Sequence, residues 1–220
     1  MKAGTRPSIS RLDETSLLRG VQTLVRRDPD LALIVESHGP PPLWARKKGF
    51  PTLVHIILEQ QVSLASARAA FDRLRDALGR ISPAGFLTLN DRELKTIGFS
   101  RQKTGYCREL AESIIDRRFS ARALELMSDD DARAALVGLK GIGAWSADIY
   151  LLMALCRPDI WPSGDLALAV AAHQVKRLSE RPTPADLAEL GEAWRPWRAV
   201  AARLLWHHYL SERAKRKQRS

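Results

Sequence analysis

The sequence predicts an all-α protein, because its apolar residues follow helical spacing, helix-start residues are frequent and strand patterns are nearly absent. Along most of the chain apolar residues recur three or four positions apart, as they do on one face of a helix. No alternation of apolar and polar residues extends beyond a few positions. Residues preferred as helix N-caps precede the shorter apolar segments, at Ser82, Asn90, Ser100, Ser128 and Thr183.

The predicted helices follow one another with short connections. The first helical pattern covers residues 14–37 and restarts at Pro29, which suits the first turn of a helix. A strongly apolar helix is expected over residues 51–60 and another over 63–78. Short helices then lead to the turn VGLKGIG, residues 137–143, whose three glycines exclude a helix interior. A further helix follows at once, so we expect a helix-hairpin-helix.

We expect these helices to form a two-lobed bundle with an active cleft between the lobes. Helices of residues 1–50 are expected to pack with the C-terminal helices of residues 166–212. Residues 51–165 are expected to form the other lobe, with the helix-hairpin-helix at 137–155. The basic end of the chain, residues 213–220, is expected to be a disordered tail.

The charge of the chain points to a polyanionic partner. The 220 residues include 35 Lys and Arg against 25 Asp and Glu, which gives a formal net charge of +10. With 45% hydrophobic and 27% charged residues, the composition is otherwise that of a globular protein and excludes a disordered or collagenous chain. Nucleic acid suits such a charge, and an anionic membrane surface is the alternative.

The cysteines and the apolar segments limit the location. Cys107 and Cys156 belong to no CxxC pair, so neither a disulfide framework nor a zinc or iron–sulfur site is expected. The N-terminal residues lack the apolar core of a signal peptide, and no apolar run approaches the roughly 18 residues of a membrane span. We therefore expect a cytoplasmic, nucleoid-associated protein without membrane contact.

The glycine-rich turn is the most specific local feature. A turn of this form followed directly by a helix presents backbone N–H groups that can bind a phosphate oxygen. Gly141 and Gly143 would let a phosphate approach closely, and Lys140 adds a positive charge. Arg101 and Lys103 are either solvated charges or further phosphate contacts. An ordinary turn between two helices is the alternative to phosphate binding.

Three segments together resemble a known family. The longest, LVGLKGIGAWSADIYLLMALCRPDIWPSGDLALAVA at residues 136–171, is similar to the signature of the helix-hairpin-helix (HhH-GPD) base-excision DNA glycosylase superfamily. LVHIILEQQVSLASARAAFDRL at 53–74 and WRPWRAVAARLLW at 194–206 resemble its DNA-3-methyladenine glycosylase II branch. The resemblance implies a monomeric enzyme without a required cofactor that flips alkylated purines, 3-methyladenine and 7-methylguanine, out of double-stranded DNA and hydrolyses their glycosidic bond.

Asp165 is the candidate catalytic residue. It follows Gly164 at a predicted helix start, where an aspartate is commonly an N-cap. In the resembled family the aspartate at this position is the catalytic carboxylate, and a residue can serve both roles. A fixed anion stabilises the positive charge that develops on the sugar and can position the attacking water.

Two tryptophans are candidates for the base pocket. Trp145 stands where bifunctional members of the resembled superfamily carry a Schiff-base lysine, which argues against lyase activity. There and at Trp206 the resemblance implies aromatic walls that stack on a flipped, electron-poor base. For Trp206 an ordinary core position is an equal alternative.

Further roles come from the resemblance alone. The QQVS turn would supply a wedge, Gln60 or Gln61, that fills the space left by the flipped nucleotide; hydrogen bonding between helices is the alternative. A structural Na⁺ or K⁺ would be held by main-chain carbonyls of Val137, Leu139 and Ile142.

Two other functions compete with this hypothesis. A non-catalytic helix-hairpin-helix DNA-binding protein would need the basic surface and the hairpin, but neither Asp165 nor an aromatic pocket. A glycosylase for oxidised or mismatched bases is disfavoured by Trp145 and by the missing cysteine cluster of the iron–sulfur branch.

Overall fold

A computed structural model describes residues 11–219 of the chain and confirms the all-α prediction. Those residues form α-helices and one short 3-10 helix and contain no strand. Most helices begin at residues whose side chains accept a hydrogen bond from the first turn, including Ser82, Asn90, Ser100, Ser128 and Thr183. In this described part, no helix is both long and apolar enough to cross a membrane.

The first of two compact units combines both ends of the chain, residues 1–45 and 156–220. Its described helices are α1 (Glu14–Arg27), α2 (Pro29–His38), α10 (Leu166–Val175), α11 (Pro184–Glu192) and α12 (Arg198–Arg219). The long helix α12 packs against α1, α2 and α10. The core of this unit includes fully buried leucines, Leu17, Leu24, Leu31, Leu168, Leu204 and Leu205.

The second unit is residues 46–155. Its helices are α3 (Phe50–Glu59), α4 (Leu64–Leu78), α5 (Pro83–Thr88), α6 (Asp91–Ile97), α7 (Arg101–Ile115), the 3-10 helix (Ala123–Leu126), α8 (Asp129–Val137) and α9 (Ala144–Met153). Helix α3 is buried along most of its length because α4, α7 and α9 all pack against it. Helices α8 and α9 also pack on each other and form the predicted helix-hairpin-helix.

The structure differs from the expected boundaries at three places. The second unit begins at residue 46, so residues 46–50 belong to it and not to the N-terminal segment expected over 1–50. The chain leaves the second unit after residue 155, so residues 156–165 belong to the first unit and not to the hairpin-bearing segment. The basic segment expected to be disordered continues α12 as far as Arg219, because nothing in RAKRKQR breaks a helix. Residue 220 and the first ten residues lie outside the described part.

Candidate active site and DNA-binding elements

The hairpin turn depends on Gly141 for two independent reasons. Its φ of +82° lies in the left-handed region that glycine adopts without cost. An added Cβ would also lie 2.2 Å from the ring of Tyr106, which packs against the turn from α7. Within the turn, the Ile142 N–H donates to the Leu139 carbonyl at 3.0 Å. The glycine therefore sets both the backbone path and the close approach of α7.

Gly143 has a different role from Gly141, because it is the N-cap of α9. Its backbone is in the ordinary extended region, at φ −90° and ψ 179°, and it supplies no side-chain acceptor to the first turn of the helix. A Cβ built on it would meet nothing within 4 Å. The turn is therefore open on this side, as phosphate binding at a helix N-terminus requires.

Three basic residues, Lys140, Arg101 and Lys103, are candidates for phosphate contacts, and the latter two are alternatively solvated charges. Arg101 is exposed. Lys140 is exposed, and its Nζ lies 3.4 Å from a carboxylate oxygen of Glu109. Lys103 is not a solvated charge: its Nζ donates to the carbonyls of Leu58 and Gln60, both at 2.8 Å. Burial lowers the pKa of Lys103. Sequence reasoning missed this contact because it joins residues more than 40 positions apart.

The structure separates the two candidate wedge residues. The Gln60 side-chain amide donates to the Gly141 carbonyl at 2.8 Å and to Ser146 Oγ at 3.0 Å. This amide joins the end of α3 to the hairpin, which favours the alternative of hydrogen bonding between helices and argues against a wedge role for Gln60.

Gln61 is exposed and has a φ of +56°, so it lies in the left-handed region. For a residue other than glycine this conformation costs roughly 1–2 kcal/mol. The neighbouring apolar side chains of Val62 and Leu64 are 47% and 62% exposed. The turn therefore presents Gln61 beside apolar surface, an arrangement suited to insertion into a base stack.

Trp145 is the second residue of α9 and is half-buried. One turn further along the same helix, Asp148 is buried and accepts a 2.7 Å hydrogen bond from Arg133 Nε. This ion pair links α8 to α9. It gives Asp148 a structural role.

Asp165 is the N-cap of α10, in the first unit. Its Oδ1 accepts the backbone N–H of Leu168 at 2.8 Å and the indole Nε1–H of Trp206 at 3.1 Å. Its residue exposure is 9%, and that of Trp206 is 6%. Two donors thus hold the carboxylate in one orientation within a mostly buried environment, as a group that stabilises charge in a reaction requires.

Trp206 is a core residue of α12 that also orients Asp165. Its burial supports the alternative that sequence reasoning left open, and its N–H adds a contact to the carboxylate that the sequence did not indicate. Trp145 and Trp206 belong to different units. Their role as walls of one base pocket stays a prediction.

Side chains of the described residues form no metal site. No group of three or more His, Cys, Asp or Glu residues in the described part of the chain could hold a metal ion. The predicted monovalent cation would instead use main-chain carbonyls. Of these, the Leu139 carbonyl already accepts the Ile142 N–H, which leaves it one lone pair for an ion.

Comparison with known proteins gives one family. A model described as HhH-GPD superfamily base excision DNA repair protein matches residues 54–196, which include the hairpin and Asp165. DNA-3-methyladenine glycosylase 1 of Schizosaccharomyces pombe is 25% identical over 80% of this chain and 79% of its own length. The YfjP protein of Bacillus subtilis is 26% identical over 80% of this chain, which spans only 64% of that relative.

Solved structures share the fold. A crystal structure of a DNA-3-methyladenine glycosidase from Bacillus halodurans superposes with a TM-score of 0.72 at 29% identity, covering 86% of this chain and 88% of that one. A 3-methyladenine DNA glycosylase of Schizosaccharomyces pombe, solved with abasic DNA, gives a TM-score of 0.77 at 24% identity, with coverage of 87% and 95%.

Proposed function

This chain belongs to the HhH-GPD superfamily of base excision DNA repair proteins, and on that premise we propose that it is a monofunctional DNA glycosylase. It binds double-stranded DNA as a monomer at the nucleoid, flips an alkylated purine such as 3-methyladenine or 7-methylguanine, and hydrolyses its glycosidic bond. The similar proteins named DNA-3-methyladenine glycosylase or glycosidase support this substrate class. The net charge of +10 suits a DNA partner.

The observation that carries the proposal is the orientation of Asp165 by Leu168 and Trp206. Asp165 itself lies within residues 54–196, which match the family. The bond between the sugar C1′ and the purine nitrogen breaks, and its electron pair leaves with the base. Asp165 stabilises the positive charge on the sugar, and water adds to C1′ and loses a proton. An alkylated purine leaves readily because it is cationic or electron-poor.

Other residues bind and select the DNA. The open hairpin at Gly143, with Lys140 beside it, takes a backbone phosphate, and Gln61 fills the space of the flipped nucleotide. Trp145 stacks on the electron-poor base, a preference of about 0.5–2 kcal/mol. The buried Trp206 orients Asp165. Tryptophan at position 145 cannot form a Schiff base, so no strand cleavage accompanies base release.

No cofactor is required for this reaction. The main-chain carbonyls of Val137, Leu139 and Ile142 would bind a structural Na⁺ or K⁺.

Release of free methylated purines from methylated duplex DNA tests this function. The wild-type chain should release 3-methyladenine or 7-methylguanine, and Asp165→Asn should lower the rate by about a thousandfold or more while DNA binding remains. Asparagine is also a good N-cap, so the fold should be kept. Asp13→Asn, at the exposed N-cap of α1, is the matched control and should behave as wild type.

The non-catalytic alternative makes the opposite prediction. A DNA-binding protein without glycosylase activity would bind methylated duplex and release no base from either chain. That outcome, with intact binding, would overturn the proposed enzyme.

The hairpin is tested separately by Gly143→Ala. The added methyl meets no protein atom, so stability should change little, but it should hold a phosphate away and weaken DNA binding. Gly105→Ala, in α7, is the control because it too adds a methyl into open space. Equal DNA affinity of the two variants would contradict phosphate binding at the turn.

A further inference from the structure

Lys103 connects α7 to the carboxyl end of α3 in the second unit. It is the third residue of α7, and its ammonium lies at the carboxyl end of α3, where it donates to two carbonyls at 2.8 Å. The last carbonyls of a helix have no partner within the helix and carry partial negative charge, so a cation is favoured there. One of the two carbonyls belongs to Gln60, the residue directly before Gln61.

Gln60 is therefore held at both its main chain and its side chain. Lys103 binds its carbonyl, and its own amide binds the hairpin at Gly141 and Ser146. Gln60 itself has ordinary extended backbone angles, whereas the next residue has a φ of +56°. A residue other than glycine keeps this left-handed conformation only where contacts with the surrounding structure hold it. The hydrogen bonds of Gln60 hold the backbone on the N-terminal side of Gln61.

We propose that Lys103 is a positioning residue for DNA distortion: by fixing Gln60 it sets the direction of Gln61 and keeps that turn in register with the hairpin. The proposal rests on the proposed glycosylase function. In this arrangement Gln61, which fills the space of the flipped nucleotide, is connected through Gln60 to the hairpin turn that binds the phosphate. Loss of the ammonium frees the Gln60 carbonyl, and Gln61 can then leave its left-handed conformation.

The first test compares Lys103→Met, which keeps the length of the side chain and removes the donor, with Lys103→Arg, which keeps a cationic donor. Single-turnover release of methylated purines should fall by about 10- to 100-fold in Lys103→Met, as misplacement of a positioning element does, and should be largely restored in Lys103→Arg. Lys95→Met is the matched control, because Lys95 is an exposed lysine in α6, outside these contacts.

A fluorescence readout separates positioning from simple stabilisation. In a duplex with 2-aminopurine beside a stable abasic analogue, binding of the wild type should raise the fluorescence as the stack is opened. Lys103→Met should bind with a smaller rise even under conditions where circular dichroism shows it to be fully folded. If that variant does not fold, Lys103→Gln, which retains one donor, takes its place.

A double-mutant cycle decides whether Lys103 acts through Gln61. Gln61→Ala alone should slow base release, and adding Lys103→Met should cost little more, because both changes remove the same function. Additive losses would overturn the proposal, as would an unchanged rate in Lys103→Met. If the wild-type chain releases no base, the glycosylase function itself fails and this role falls with it.

Discussion

Two aspartates of the first unit have nearly the same local geometry. Asp28 is the N-cap of α2 and Asp165 is the N-cap of α10. Each carboxylate also accepts an indole N–H from a buried tryptophan, from Trp194 at 2.8 Å and from Trp206 at 3.1 Å. Both aspartates are 9% exposed. A capping aspartate with an indole donor is therefore a structural arrangement that this unit uses twice.

The Asp28 carboxylate also forms an ion pair with a lysine. The Lys176 ammonium donates to both of its oxygens, at 2.6 and 2.8 Å, and also to Asp30 at 2.9 Å. Burial tends to raise the pKa of Asp28, but the hydrogen bonds from Lys176 and Trp194 outweigh it and the pKa is lowered. The charge of Asp28 thus stabilises the fold. Cap geometry alone therefore does not distinguish a catalytic carboxylate from a structural one. Asp165 lies within residues 54–196, which match the family, whereas Asp28 does not, and this supports the proposed catalytic role of Asp165.

The largest effect expected on stability is that of Asp28→Asn. The substitution leaves the half-buried Lys176 ammonium without its main counter-charge, so the free energy of unfolding should fall by about 3 kcal/mol. Urea unfolding at pH 7 measures it. Asp165→Asn should show the reverse pattern, with little loss of stability and loss of base release. Equal stability losses in the two variants would remove the distinction between the two aspartates.

Removing the two indole donors should likewise affect different properties: base release for Trp206 and stability for Trp194. Trp206→Phe removes one hydrogen bond to Asp165 and should slow base release about tenfold, or about 1.4 kcal/mol in the barrier. Trp194→Phe removes the equivalent bond to Asp28 and should lower the free energy of unfolding by about 2 kcal/mol without slowing release by folded protein. Single-turnover assays and urea titrations on both variants test this. Slower release in Trp194→Phe alone would contradict it.

A smaller effect should appear in the pH dependence of stability. Because the pKa of Asp28 is lowered on folding, its contribution is present above the ordinary value of 3.8 and is lost as the pH falls through its folded pKa. The melting temperature of the wild type should therefore drop more steeply than that of Asp28→Asn in acid, over about pH 5 to 2. Parallel curves would show that Asp28 is not the group responsible.

The smallest effect is expected at the basic end of α12, which carries neither aspartate. Deleting residues 213–220 should lower DNA affinity modestly and reduce its salt dependence, while base release by the bound enzyme continues. Binding titrations at several salt concentrations measure this. An unchanged salt slope would exclude a phosphate contact from this segment.

Local features of the fold could be predicted from the sequence because they depend on neighbouring residues. A serine or asparagine accepts a hydrogen bond from a backbone N–H two or three positions later, so Ser100 and Asn90 mark helix starts wherever the helices then pack. Three glycines within residues 137–143 predicted a turn there, because glycine destabilises the interior of a helix. Asp165 as a cap could be predicted on identical grounds.

The different roles of the two turn glycines Gly141 and Gly143 could not be predicted from the sequence. The pattern predicted a turn, but it treated Gly141 and Gly143 alike. Only the packing of Tyr106 from α7 shows that a side chain at position 141 would collide with protein, whereas one at 143 would not. Two glycines of one motif thus differ in role because of a residue more than 30 positions away.

The helical class, the helix starts and the hairpin can all be predicted without a structure, because each depends on hydrogen bonds and apolar spacing within a few residues. The meeting of distant groups cannot be predicted in this way. The indole that orients Asp165 is 41 positions away along the chain, and the amide of Gln60 reaches a carbonyl 81 positions away. Such contacts depend on how whole helices pack, and many helix arrangements satisfy the same local pattern.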